Sequence, residues 1–177
     1  MVECWLGRDP EDRAFHDAAH VDYWLASPEG RLFLLRGLEE DASENFPPGQ
    51  ILDVGLPVRR MAEVLAHAVR FAALRTARET GPFVGLDCRY SGIRNRRLRR
   101  WANPLRPEVP GAHACTVDEV ELRMPPVEIG ALREDPVGPI RELLAPLYGR
   151  FGFHGFDRDF VAHELEDLLP KWGAALA

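Results

Sequence analysis

Cysteine is scarce in this 177-residue chain: Cys4, Cys88 and Cys115 form no close pair and no CxxC. That excludes a disulfide framework and a zinc knuckle or CxxC redox centre, and points to reduced thiols in the cytoplasm. Apolar runs are short, well under the roughly 20 residues that span a bilayer, and Met1-Val2-Glu3 lacks a basic, apolar leader pattern. No membrane partner is expected. Serine occurs at Ser27, Ser43 and Ser91 only, never in GxSxG, and GxxxxGK[ST], GxGxxG and HExxH are also missing. No catalytic constellation and no cofactor is therefore expected. Lysine is nearly absent as well: of 22 basic residues, only Lys171 is a lysine. Arginine abundance is thus partly codon bias. Its distribution is not.

Seven arginines fall between Arg89 and Arg106 with no Asp or Glu among them: Arg89, Arg94, Arg96, Arg97, Arg99, Arg100 and Arg106. With this stretch set aside, the formal charge of the chain falls from −6 to −13. So acidic a background argues against a general nucleic-acid coat protein. The segment must nevertheless find negative charge on a phosphate ligand, on the chain's own acids, or on a partner. Guanidinium forks bind phosphate bidentately, and the flanking Tyr90 and Trp101 could stack on a base. Ser91-Gly92 and Asn95 favour a turn that would put Arg94, Arg96 and Arg97 at a tip between strands. The competing expectation is neutralisation by Glu39-Glu40-Asp41 or Asp118-Glu119-Val120-Glu121, within the chain or across a homodimer. Arg36 interrupts an apolar strand, so it must pair with an acid, of which Glu39 to Asp41 are nearest, or face a pocket.

The periodicity predicts an α+β fold in a single domain, residues 1–177: a mainly antiparallel sheet with one long helix and two C-terminal helices packed on it. Val2 to Leu6 reads as a strand. Val21–Ala26 and Arg31–Leu38 flank Ser27-Pro28-Glu29-Gly30 and read as a hairpin, the second strand central because both its faces are apolar. Glu39 to Gln50, with Pro47-Pro48-Gly49, reads as an exposed loop. A helix is predicted from Val58 to Glu79 on the stripe Met61, Leu65, Ala68, Ala72, ended by Thr80-Gly81-Pro82. Phe83–Tyr90 and Cys115–Met124 alternate as strands, the latter stopped by Pro125-Pro126. Ile140, Leu143, Leu144, Leu147, Tyr148 and Phe151 form an amphipathic stripe, kinked at Pro146, and Asp157 should cap a last helix.

Other chemistry is thinly supported. His16 and His20 at i, i+4, followed by Asp22, have a spacing that can hold zinc on a helix, which makes a metal-dependent phosphoesterase the enzymatic alternative. A surface loop with incidental histidines explains them as well. His113-Ala114-Cys115 is too small a set to close a metal site. Cys88 falls on the apolar face of its strand, where a thiol is inert packing.

Three phrases occur together: Phe33-Leu34-Leu35-Arg36-Gly37-Leu38-Glu39-Glu40-Asp41; Tyr90-Ser91-Gly92-Ile93 with Arg96-Arg97-Leu98; and Leu143-Leu144-Ala145-Pro146-Leu147-Tyr148 with Phe151-Gly152-Phe153. From about Val2 to Leu169 the chain resembles the C-terminal region of bacterial proteins that begin with a Schlafen AlbA-like ATP-binding domain. That domain itself is not in this sequence, so the resemblance implies no ATP binding or nuclease activity and assigns no residue a role. What it implies is a bacterial cytoplasmic module of a regulatory or phage-defence protein. The reading of the sequence is a non-catalytic binding or sensor module, or alternatively a structural dimerisation domain. Its expected site is Arg36, Arg89, Tyr90, Arg94, Arg96, Arg97 and Trp101, and its expected ligand a nucleotide, a single-stranded nucleic acid or an acidic protein partner.

Overall fold

The computed structural model describes residues 2–5, 22–75, 82–111, 113–170 and 172. The architecture is α+β. Strands β1 (Val2–Trp5), β2 (Asp22–Ala26) and β3 (Leu32–Arg36) form an antiparallel sheet in that order. The hairpin turn closes through Ser27 N–H to Arg31 O (2.9 Å) and Gly30 N–H to Ser27 O (3.1 Å), and Gly30 supplies the left-handed φ of 88°. β3 is at the edge of this sheet and not at its centre, with Phe33 52% and Leu35 53% exposed. An apolar run marks a strand but does not distinguish one buried on two faces from one paired on a single side.

The stretch after β3 is not simply an exposed loop. Glu39–Ala42 forms a 3₁₀ turn with Glu40 fully buried against strand β4 (Ile51–Asp53). Helix α1 (Leu56–Arg75) follows at once. Asp53 starts it: one carboxylate oxygen accepts from the N–H groups of Gly55 (2.7 Å) and Leu56 (2.8 Å), otherwise orphaned in the first turn. The buried stripe of α1 is Val58, Ala62, Leu65 and Val69, with Met61 beside it. Ala68 and Ala72 lie half-buried at its margin, so the core face is rotated from the expected one. The expected stop at Thr80-Gly81 lies outside the described residues.

Strands β5 (Phe83–Ser91) and β7 (Glu119–Glu128) pair antiparallel, with Val120, Leu122 and Met124 buried on one face. β7 does not stop at Pro125-Pro126. Val84 pairs with Val127 and Leu86 with Met124, so the prolines occupy a bulge where their missing N–H groups cost no ladder bond. Short strand β6 (Arg97–Arg99) pairs in parallel with β4, a pairing absent from the sequence reading. Helices α2 (Ile129–Glu134), α3 (Val137–Arg150) and α4 (Arg158–Glu164) complete the described elements. α3 continues through the exposed Pro146, and its stripe Ile140, Leu143, Leu144 and Leu147 joins the same buried cluster as α1, β5 and β7. Asp157 caps α4 through Phe160 N–H (2.8 Å), as its position predicts. No helix among the described residues is long and apolar enough to cross a membrane.

Candidate anion-binding surface

β5 runs straight into the arginine segment, and the turn between them has two left-handed residues, Gly92 (φ 67°) and Asn95 (φ 64°). Both types tolerate that region, glycine for want of a Cβ and asparagine as the commonest exception. The turn is strapped to residues 115–118: Ile93 N–H donates to Asp118 O (3.1 Å) and Asn95 N–H to Cys115 O (2.9 Å). Ile93 is wholly buried, which anchors the turn. β6 is held on both sides, by β4 and by Leu98 N–H to His113 O (2.9 Å). With Leu98 turned inward, alternation turns Arg97 and Arg99 outward.

Four of the seven arginines are committed to the chain's own carboxylates. Arg96 does not stand at a tip: it is 4% exposed and grips both oxygens of Asp41 at 2.6 Å. The same guanidinium donates to Gly92 O (2.7 Å) and Ile51 O (2.8 Å), tying the turn to the 3₁₀ segment and β4. Desolvation pushes the Asp41 carboxyl up, but the Arg96 bonds and the Gly49 N–H outweigh it and hold its pKa below the ordinary value. Arg100 meets the buried Glu164 at 2.8 Å, and Arg106 lies 3.7 Å from Glu164 and 2.9 Å from Glu166. Arg89 pairs across the β5–β7 ladder with Glu121 (2.8 Å) and Glu119 (3.6 Å), all three exposed. The acids of the two runs named from the sequence thus take Arg96 and Arg89.

Arg94, Arg97 and Arg99 are different. All three are exposed, and no ion pair joins any of them to a carboxylate among the described residues. Arg94 donates to Thr116 O at 3.2 Å, which lays its side chain along the strap beneath the turn. Arg99, not among the expected site residues, is exposed as Arg97 is. Its signal was the two-residue spacing from Arg97 around an apolar Leu98, legible only once β6 is known to be a strand.

The remaining expected residues go elsewhere. Arg36 pairs with Glu63 of α1 at 3.3 Å, while Glu39, one of the acids nearest to it in sequence, meets Arg60 at 2.5 Å. Tyr90 points inward, and burial drives its phenol well above the ordinary pKa. Trp101 is half-buried, its backbone N–H donated to Asp53 (2.7 Å). Burial raises the Cys88 thiol to about 11, so it is poorly suited to act as a nucleophile. His113 presents both ring nitrogens to carbonyls, Phe151 O (3.2 Å) and Pro110 O (2.8 Å), while Cys115 Sγ–H donates to Val117 O (3.3 Å). No group of three His, Cys, Asp or Glu suited to a metal occurs among the described residues. His16 and His20 lie outside them, and Asp22 begins β2.

Sequence reasoning named Glu40 and Asp41 but missed two further carboxylates that organise this region, Asp53 and Glu164. The other oxygen of Asp53 accepts from Trp101 N–H (2.7 Å) and Ala102 N–H (2.8 Å), so one side chain ties α1 to the end of the arginine segment. Its place just before Gly55-Leu56-Pro57 was the available signal, that of a helix start. Glu40 accepts from Asp53 N–H (2.9 Å), and burial raises its pKa. Nothing in the local sequence marks Glu40 or Glu164 as buried. No protein-family model, curated protein or solved structure matches this chain.

Proposed function

We propose that this chain is a non-catalytic binding module whose exposed arginines Arg94, Arg97 and Arg99 take an anionic ligand. The observation carrying this reading is the unequal fate of one basic segment. Arg96, Arg100 and Arg106 are buried or nearly so on carboxylates, whereas these three face solvent without an ion pair among the described residues. A solvent-facing guanidinium keeps most of its five donors for phosphate or carboxylate from outside. So acidic a chain had carboxylates to spare for these cations, as it did for the other four. The bacterial, cytoplasmic setting in regulation or phage defence, implied by the resemblance, belongs to the same proposal.

The test is fluorescence titration at low salt with a short single-stranded oligonucleotide and a nucleoside triphosphate. At least one should bind, and Arg94, Arg97 and Arg99 replaced together by Ala should weaken it at least tenfold. The urea midpoint should barely move, because exposed charges contribute little to stability. If the wild-type chain binds neither ligand, the three arginines are solvated surface and the proposal falls.

A further inference from the structure

We infer that the ligand of this surface is a single-stranded nucleic acid held by its phosphates, with no reading of bases and no pocket for a lone nucleotide. The inference rests on the reading above and deepens it.

Three observations carry it. Arg97 and Arg99 stand two residues apart on the outer face of one strand, so their Cα atoms are about 6.5 Å apart along a line. Arg94 precedes them in the turn that feeds this strand. Two cations along one strand face, with a third in the turn before them, suit a chain of charges, whereas a single nucleotide needs a concave site that buries most of its surface. Neither aromatic residue flanking the arginine segment is fully exposed to offer a free stacking face. Tyr90 is half-buried and packs against the core, and Trp101, also half-buried, has its backbone N–H fixed to Asp53. Base stacking on aromatics is the usual sequence-tolerant addition to such a groove. Here the grip is left to guanidinium and phosphate alone.

The strand is also fixed in place. Arg96 and Leu98, the buried residues on either side of Arg97, lock the strand through Asp41 and the core. The outward arginines therefore need only their side chains ordered on binding, not the backbone.

The experiment measures binding of a mixed-sequence single-stranded DNA oligonucleotide, oligo-dT of equal length, dTMP and inorganic polyphosphate, in one anisotropy assay. Three phosphates neutralised, at about 0.7 per phosphate, give a log–log salt slope near −2, hence roughly 20-fold weaker binding between 50 and 200 mM salt. Replacing Arg97 and Arg99 with Ala should flatten the slope below about 1. The two oligonucleotides should bind within about threefold of each other, polyphosphate should compete, and dTMP should bind at least 100-fold more weakly, as expected for contacts made only to the phosphate backbone. Equal binding of dTMP, or a tenfold preference between the oligonucleotides, would overturn this inference while leaving an anion-binding module in place. Binding of none of the four at 20 mM salt would remove both.

Discussion

Arg96 and Arg97 are neighbours in the chain with opposite fates. Asn95, in the left-handed region, turns the backbone so that the first guanidinium enters the interior beside Asp41 and the second stays in water. Arg96→Ala should therefore cost about 3 kcal/mol, since it leaves the Asp41 carboxylate without its partner and Ile51 O without a donor. Arg97→Ala should cost under about 0.5 kcal/mol in the same urea unfolding series. Equal losses would contradict the division between paired and exposed arginines. The carboxyls beneath have opposite pH signatures. The Asp41 pKa is lowered on folding, so its contribution is present at neutral pH and lost as pH falls from about 4 through the folded value. The Glu40 pKa is raised by burial, so its contribution is present below its unfolded value and lost as pH rises through the folded one. Asp41→Asn should flatten the acid limb of stability against pH, and Glu40→Gln the limb above it. Unaltered limbs in both variants would show that neither carboxyl is coupled to folding.

Among the elements, α3 and the start of α1 carry the strongest expectations. Leu144 is fully buried between α3 and the core, and Leu144→Ala should cost about 2–5 kcal/mol. A loss below about 0.5 kcal/mol would mean that the helix is peripheral. Gly55 sits where a Cβ would run into the Glu164 carboxylate and stand 2.9 Å from Arg100. Gly55→Ala should displace that buried pair and destabilise the fold by about 1–3 kcal/mol. Gly149, inside α3 with nothing near its would-be Cβ, is the control: Gly149→Ala should stabilise by about 0.5–1 kcal/mol. If both substitutions behave alike, the close approach of Glu164 to the α1 start is not a constraint on folding.

For the whole molecule, the arginines act as ties between distant parts of the chain. Arg96 joins the turn after β5 to the 3₁₀ segment, Arg100 and Arg106 join the loop after β6 to α4, and Arg59 of α1 grips both oxygens of Asp167 (3.0 and 2.8 Å). Such pairs hold the long-range arrangement of an acidic chain while leaving Arg94, Arg97 and Arg99 without an ion pair among the described residues. The phosphoesterase alternative has its own signature. It requires about one transition metal per chain, lost on His20→Ala. We expect well under one equivalent in elemental analysis, because two histidines four positions apart do not close a site without further converging ligands. A full equivalent lost in the variant would move the assignment from binding to catalysis.

The chain's own residues were enough to determine the elements whose signal is local: the hairpin around Ser27–Gly30, the alternating strands β5 and β7, the stripe of α3, and the Asp157 cap. Each depends on periodicity or on a residue within a few positions, and such information is complete in one dimension. Strands β4 and β6, three residues each, were too short to show a period, and their parallel pairing joins segments more than 40 residues apart. The concentration of arginine was equally plain in the sequence; which arginines are sequestered was not. That choice depended on Asp41, Glu164 and Glu166 arriving from remote parts of the chain, with Arg96 matched to a carboxylate 55 positions away. Ion pairing inside a fold is decided by distance in space and by burial, and only tertiary packing sets either one.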